Sequence, residues 1–248
     1  MVKSCLYLFF VNVYLIGRVL ELMFDLKIFL RKLLIFFIGL LIIQTGVAIF
    51  IQTAIGSDPF TVFTQGISKI LHLSVGNANL VITFTFLVII VFVFKKIKSI
   101  NIGTLIALVF AGIFINLMNS VLSVFNFSNL NIFIRLLLVC FSCILIGIGF
   151  SMQNATNLGV APNDLFILIV TERSSLSYKW IRIIFDLVLV IIGFLLCGLD
   201  SFGKTLGIGT ILNALIQGPI IHFFMPKVEY ILKPLFTEKS KNIAIQEK

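Results

Sequence analysis

The chain has 248 residues, of which 60% are apolar, and its mean hydropathy is +1.17. This composition excludes an ordinary soluble domain and indicates several membrane helices, each of about 20 apolar residues. A formal charge of +9 could suggest nucleic-acid binding, but the basic residues form short clusters between apolar runs, as the positive-inside rule expects. The predicted partner is therefore the lipid bilayer and not nucleic acid.

Residues 1–26 form the first apolar stretch, which carries the polar residues Asn12, Arg18, Glu21 and Asp25 among others. No small-residue cleavage site follows it, so a cleavable signal peptide is not expected. The stretch is either an N-terminal helix, spanning or interfacial, or translation starts at Met23 and most of it is absent. The second alternative is motivated by the internal repeat, which begins only at Arg31.

The rest of the chain divides into two halves, 27–122 and 123–226, followed by a basic tail, 227–248. The helices predicted for the first half are Leu33–Ile55, Asp58–Leu71, Ala78–Phe94 and Ile100–Val121. Those predicted for the second half are Asn131–Asn154, Pro162–Thr171, Tyr178–Leu196 and Leu206–Phe224. In each half the second segment is too short to span a bilayer at 1.5 Å per residue. The sequence predicts an all-α multi-pass membrane protein, in which each half has three spanning helices and one short helix that starts at proline.

The two halves are related in sequence. At one constant offset Gly56 pairs with Gly159 and Pro59 with Pro162, so a Gly-x-x-Pro break precedes both short helices. Further on, Ile102-Gly103-Thr104 pairs with Ile208-Gly209-Thr210. A shared order of such motifs predicts an internal repeat.

Three motifs carry a resemblance to a known family: Asn157–Asp164 with its Leu-Gly-x-x-Pro-x-Asp pattern, Leu73–Gly76, and Gly207–Pro219. On these residues the chain resembles the YczE/YyaS/YitT group of bacterial multi-pass membrane proteins over residues 31–225. The first half has Thr61 where the pattern has an acid. The resemblance implies a bacterial inner-membrane protein and supplies no catalytic residues.

The orientation of the two halves depends on the short segments. If these enter and leave the membrane on one side, each half crosses three times and the second half is inverted; if they span, the halves are parallel. With Lys27 and Arg31 in the cytoplasm, re-entrant segments also place Lys95–Lys98 and the C-terminus there, whereas spanning segments force Lys95–Lys98 outside. The positive-inside rule therefore favours the inverted arrangement.

Inverted halves whose broken helices meet near the midplane are typical of secondary transporters. At each break, glycine and proline leave backbone groups without their helical hydrogen-bond partners. The start of each short helix also presents N–H groups of positive partial charge. Such irregular backbone survives in hydrocarbon only where protein or a water-filled cavity covers it. The breaks are thus predicted to bind a solute, through Gly56, Asp58, Thr61, Gln153, Asn154, Gly159, Asn163 and Asp164. The alternative is that both are ordinary interfacial turns in a packed bundle.

Two helices of the second half add polar side chains. Arg182 and Asp186 are four residues apart and share one helix face, as do Asn213 and Gln217. Charged groups at membrane depth should face the interior and pair. Arg182 would suit an anionic group, while Asp164 or Asp186 could carry a coupling proton or cation. Asp164 could equally cap its helix, and the whole set could be a structural ion pair with helix-to-helix hydrogen bonds.

Other motifs are not expected to carry chemistry. Cys140-x-x-Cys143 lies in an apolar run, and His72 and His222 lie near segment ends without a companion at metal spacing. The stretch 198–205 fits the phosphate-loop pattern but joins two membrane segments rather than a strand and a helix. No metal, cofactor or catalytic residue is predicted, because zinc-protease and hydrolase motifs are absent from the sequence.

The leading hypothesis is a gradient-driven transporter or permease for a small solute in the bacterial cytoplasmic membrane. The alternative is a non-transporting accessory or regulatory membrane protein, in which the polar cluster only specifies helix packing.

Overall fold

A computed structural model describes the backbone of residues 2–197 and 206–236, and the side chains of residues 25–196 and 206–236. In this part of the chain the protein is all-α. The helices are α1 (Val2–Thr53), α2 (Pro59–Leu71), α3 (Val75–Phe92), α4 (Ile102–Leu122), α5 (Ile132–Ala155), α6 (Pro162–Arg173), α7 (Tyr178–Cys197) and α8 (Ile208–Phe236). Short 3-10 turns occur at Ile97–Ser99, Ser123–Phe125 and Phe127–Asn129.

Among the described residues, five helices are long and apolar enough to cross a membrane: Asp25–Thr53 of α1, Val75–Phe92, Ile102–Phe125, Ile132–Ala155 and Ile208–Phe236. The sixth predicted spanning helix, α7, has 20 residues but carries Lys179, Arg182 and Asp186. Many large apolar side chains of these helices are exposed, as lipid-facing surfaces require. The chain is thus an all-α multi-pass membrane protein, as predicted.

The helix boundaries lie within a few residues of the predicted ones, with two exceptions. Helix α1 continues without a break from Val2 to Thr53, so no turn separates residues 1–26 from the first repeat. Helix α8 continues past Pro219 and Pro226 to Phe236, which includes the start of the predicted tail. Proline is tolerated in membrane helices because neighbouring groups satisfy the freed carbonyls. The phosphate-loop-like stretch 198–205 and the tail after 236 lie outside the described residues.

Each short helix starts at a proline that follows a break with a left-handed glycine. Pro59 and Pro162 occupy the first helical turn, where no N–H donor is needed. The φ angles of Gly56 and Gly159 are 134° and 111°, values that residues with a Cβ avoid. Glycine is therefore required at both breaks by backbone conformation.

The two breaks pack reciprocally against the other half. Gly103 N, at the start of α4, donates a 2.7 Å hydrogen bond to Leu158 O, and Gly209 N, at the start of α8, donates one of 3.0 Å to Ile55 O. A Cβ at Gly56 would lie 2.5 Å from Thr210 Oγ1, and one at Gly159 would lie 2.5 Å from Thr104 Oγ1. The Ile-Gly-Thr motif of each half is therefore the docking surface for the break of the other.

Helices α1 and α5 cross closely and run antiparallel. A Cβ at Gly39 would lie 2.8 Å from Gly149 O, and a Cβ at Gly46 would lie 3.0 Å from Ser142 O. Further along, Arg135 at the start of α5 donates from Nε to Thr53 O at the end of α1 (2.6 Å). Small residues allow such close approach between membrane helices.

The helix ends fall into two groups. At one end of the bundle, Gln52 of α1 donates to Asn119 Oδ1 of α4 (2.6 Å), and Gly76 N of α3 donates to Asn116 Oδ1 of α4 (3.1 Å). The end of α1 and the start of α3 thus lie on one side, and α2, which joins them, returns to the side it came from.

At the other end, Arg173 at the end of α6 donates from Nη2 to Phe94 O, just after α3 (2.7 Å), and Lys96 Nζ lies 3.2 Å from Glu172 Oε2. The start of α4, which follows this loop, bonds to Leu158 after α5. Helix α6 therefore returns to the side at which α5 ends. Its Ile167 and Ile169 are almost wholly buried, in the apolar cluster that also contains Phe150.

Candidate functional site

A cavity with a volume of about 70 Å³ lies between the two breaks. This volume has room for about five waters or a solute of a few heavy atoms. All eight helices or the breaks before them contribute to its wall. The polar lining residues are Gln44, Asp58, Thr61, Asn79, Thr83, Gln153, Asn163, Asp164, Arg182, Asn213 and Gln217.

Eight of the twelve residues predicted for the site line this cavity: Asp58, Thr61, Gln153, Asn163, Asp164, Arg182, Asn213 and Gln217. The other four do not. Gly56 and Gly159 form the breaks and contact Thr210 and Thr104 instead. Asp186 is wholly buried behind Arg182, and Asn154 is half-buried at the end of α5.

Three polar lining residues were not among the predicted ones: Gln44, Asn79 and Thr83. Asn79 and Thr83 occupy the repeat positions of Arg182 and Asp186, so the repeat itself pointed to them. Gln44 follows ten residues without a polar side chain in α1, Leu34–Ile43, and it is 7% exposed. An isolated amide in a spanning segment normally faces the protein interior, and this signal would have found it.

Arg182 binds two carboxylates at once. Its Nη1 donates to Asp164 Oδ1 (2.8 Å), and its Nε donates to Asp186 Oδ2 one turn along α7 (3.1 Å). The predicted pairing of Arg182 with Asp186 is present, and Asp164 joins it from α6. Buried charges persist only when they are paired and hydrogen-bonded, so the three side chains form one unit that ties α6 to α7.

Asp58, rather than Asp164, is the carboxylate that caps a short helix. Asp58 is the N-cap residue of α2, and its Oδ1 accepts from Thr61 N (3.1 Å). The N-cap of α6 is Ala161, which makes no side-chain capping bond. Asp164 therefore contributes its charge to Arg182, and the alternative capping role of Asp164 is not the one observed.

Several buried polar atoms of the cavity wall have no hydrogen-bond partner in the described part of the protein. They are Asp58 Oδ2, Asn79 Oδ1, Asn213 Oδ1 and both amide atoms of Gln153. Gln153 is 0% exposed. Nearly all buried polar atoms in proteins are hydrogen-bonded, so these atoms mark the part of the wall that can bind a polar guest.

Asn213 and Gln217 of α8 contact each other and α5. Asn213 Nδ2 donates to Gln217 Oε1 (3.3 Å) and to Cys143 Sγ (3.2 Å), while Gln217 Nε2 donates to Cys143 O (3.4 Å). Cys143 and Cys140 are free thiols. This group joins α8 to α5 and also faces the cavity.

Neither His72 nor His222 lines the cavity. His72 and His222 are both exposed. Within the described ranges no group of three or more His, Cys, Asp or Glu side chains could hold a metal ion.

A family model matches residues 30–226, a range that contains both breaks and every residue of the cavity wall. The chain belongs to the DUF6198 family. The family is described as one of unknown function, and the match leaves out all of residues 1–26.

The chain is also similar to proteins of Bacillus subtilis and Haemophilus influenzae. "Uncharacterized protein YyaS" of Bacillus subtilis is 32% identical over 200 residues, 80% of this chain and 94% of the relative. "Uncharacterized membrane protein YczE" of the same organism is 28% identical over 193 residues, 77% of this chain and 84% of the relative. An uncharacterized protein of Haemophilus influenzae is 24% identical over 196 residues, 79% of this chain and 84% of the relative. The predicted resemblance to the YczE and YyaS group is thus confirmed.

No solved structure matches the chain significantly.

Proposed function

We propose that this DUF6198 protein is a transporter for a small solute in the bacterial cytoplasmic membrane, driven by a gradient rather than by ATP. The observation that carries the proposal is a polar cavity enclosed by apolar helices and bounded by two reciprocally packed helix breaks. Binding sites of secondary transporters are built in this way, from discontinuous helices near the midplane.

We also propose that the two halves are inverted in the membrane. Three observations support this arrangement: α1 and α5 run antiparallel, α2 and α6 each return to the side they came from, and the contacts of each break are repeated by the other. With α1 starting in the cytoplasm, three crossings in each half bring the C-terminus back there.

Solute access follows from this symmetry. If each half can rock against the other about the α1–α5 crossing, the cavity opens first to one side and then to the other. The Gly39–Gly149 contact keeps α1 and α5 close enough to act as the pivot.

The second candidate is an accessory or regulatory membrane protein that transports nothing. It is favoured by the contacts of Arg182, Asn213 and Gln217, which hold helices together whether or not a solute binds. The partnerless atoms of Gln153 and Asp58 favour the transporter, because a structural role gives no reason for burying them.

Metabolite profiles of deletion and wild-type cells would supply solutes for uptake assays in proteoliposomes. We expect Asp164→Asn and Asp186→Asn to abolish uptake while the protein remains folded. The matched control is Glu172→Gln, which removes an exposed carboxylate at the Lys96 pair. Loss of folded protein in both aspartate variants, with no solute taken up by the wild type, would favour the accessory role.

Cysteine accessibility tests the orientation in a cysteine-free background. We expect Ser74→Cys and Asn126→Cys to react with an impermeant thiol reagent from the periplasm, and Lys98→Cys and Ser175→Cys only from the cytoplasm. All four positions are exposed. Reaction of Ser74→Cys from the cytoplasm would contradict a re-entrant α2, and reaction of Ser175→Cys from the periplasm would contradict a re-entrant α6.

A further inference from the structure

The cavity has an excess of negative charge. Its charged lining residues are Asp58, Asp164 and Arg182, and Asp186 stands directly behind Arg182. With all four ionised, three carboxylates face one guanidinium. The N-termini of α2 and α6 each add about half a positive charge. The site is then about one positive charge short of neutrality.

Arg182 is poorly placed to bind an anion. Its Nη1 and Nε atoms are already bonded to Asp164 and Asp186, and only about a tenth of its side chain is exposed. A bound anion would have to compete with both carboxylates. The charge balance and the occupied guanidinium therefore both disfavour an anionic solute.

The partnerless atoms of the wall are mostly acceptors. Asp58 Oδ2, Asn79 Oδ1, Asn213 Oδ1 and Gln153 Oε1 have no donor, whereas Gln153 Nε2 is the corresponding donor without an acceptor. Acceptor oxygens of this kind are completed by N–H donors or by a hard cation. This observation is independent of the charge balance and leads to the same chemistry.

Both halves of the chain contribute these acceptors to the wall of one small cavity. Asp58 precedes α2 in the first half, and Gln153 ends α5 in the second half. A guest that touches both would link the halves, as the cargo of the proposed transporter must. The cavity volume of about 70 Å³ limits that guest to a few heavy atoms.

We infer that the cavity binds a small monovalent cation, such as ammonium, a short primary amine or an alkali metal ion, between the Asp58 carboxylate and the Gln153 and Asn79 amide oxygens. This inference rests on the proposed function and specifies its substrate class.

The test is thermal unfolding of the purified full chain in detergent, read by a thiol-reactive dye that reports exposure of the buried Cys143. The ionic strength is kept constant with N-methyl-D-glucamine chloride, whose cation is too bulky for the cavity. Methylammonium, sodium and potassium are titrated separately, with N-methyl-D-glucamine acetate as the anion arm and acetamide as the neutral arm. We expect at least one of the three cations, and neither acetate nor acetamide, to raise the Tm of the wild type.

The decisive variant is Asp58→Asn, because asparagine also caps helices well and the fold should be kept. We expect its apparent affinity for the cation to fall about tenfold or more, as for loss of a charged partner. Glu172→Gln, the same change at an exposed site, should leave the affinity unchanged. If Asp58→Asn does not fold, Gln153→Met, which keeps the side-chain length and removes both partnerless atoms, should weaken binding instead.

The different titrated ligands distinguish the possible results. A response to methylammonium alone identifies an amine, and a response to sodium or potassium alone identifies an alkali ion. A cation effect that survives both Asp58→Asn and Gln153→Met, or no cation effect at all, would overturn the inference. Acetate or acetamide stabilisation lost in Gln153→Met would overturn the cation assignment while leaving the proposed transporter intact. Absence of proteoliposome uptake for every metabolite that differs in the deletion strain, and also for methylammonium, sodium and potassium, would remove the transporter itself.

Discussion

The break before α2 and the break before α6 have the same backbone construction but different side chains. Both contain a left-handed glycine followed three residues later by proline, and both dock on an Ile-Gly-Thr motif of the other half. The first break ends in Asp58, which caps its own helix and leaves one oxygen without a partner. The second carries Asp164, which is bonded to Arg182.

This difference separates scaffold from chemistry. The features shared by both halves are those that fix backbone conformation. The features found in only one half are charged or polar side chains. At the repeat positions of Arg182 and Asp186, for example, the first half has Asn79 and Thr83. The second half therefore holds a self-paired ion cluster, while the first half holds the more available carboxylate.

The largest effect is expected from Arg182→Met, which leaves Asp164 and Asp186 buried without their common partner. Removing one member of a buried charge group costs about 3–5 kcal/mol of unfolding free energy. Urea or thermal unfolding in detergent, together with the yield of monodisperse protein, measures this loss. A change below that of the glycine variants would mean that the ion cluster is not required for stability.

Gly56→Ala and Gly159→Ala should come next, and their effects should be similar. Each places a Cβ on a residue with positive φ and within 2.5 Å of a threonine Oγ1, which costs about 1–3 kcal/mol in strain. The two Tm values can be compared directly in one experiment. A large difference between them would show that the breaks are not equivalent scaffolds.

Asp58→Ala should have a smaller effect, because it removes a helix cap without breaking an ion pair. The expected loss of unfolding free energy is about 1 kcal/mol. Asp58→Asn should retain most of that stability, since its amide oxygen can still accept from Thr61 N. Equal losses in the two variants would mean that the charge of Asp58, rather than its cap, stabilises the fold.

The smallest effect is expected from Glu172→Gln at the exposed pair with Lys96. The two side chains are 62% and 38% exposed, so solvent screens their attraction. We expect a change in unfolding free energy within about 0.5 kcal/mol, measured by the same denaturation. A larger loss would indicate that this contact between α6 and the loop after α3 holds the short helix in place.

Much of the fold could be predicted because membrane helices are defined by local composition. Pro59 and Pro162 predicted where α2 and α6 start, and the spacing of Arg182 and Asp186 on one helix predicted their pairing. The bond between Arg182 and Asp164 could not be predicted in this way, since it depends on how α6 packs on α7. The burial of Gln153 without hydrogen-bond partners likewise depends on how the helices pack around α5. Helix α8 continues beyond its predicted end at Phe224 and past Pro226, because proline does not stop a packed membrane helix.

The hydrogen bonds from Gly103 to Leu158 and from Gly209 to Ile55 also bear on the ancestry of the chain. A single half supplies a donor and an acceptor for this contact but cannot bring them together within itself. Two identical copies placed antiparallel would complete both bonds at once. A gene duplication followed by fusion would convert such a dimer into one polypeptide, and the second copy would then be free to acquire its own charged residues.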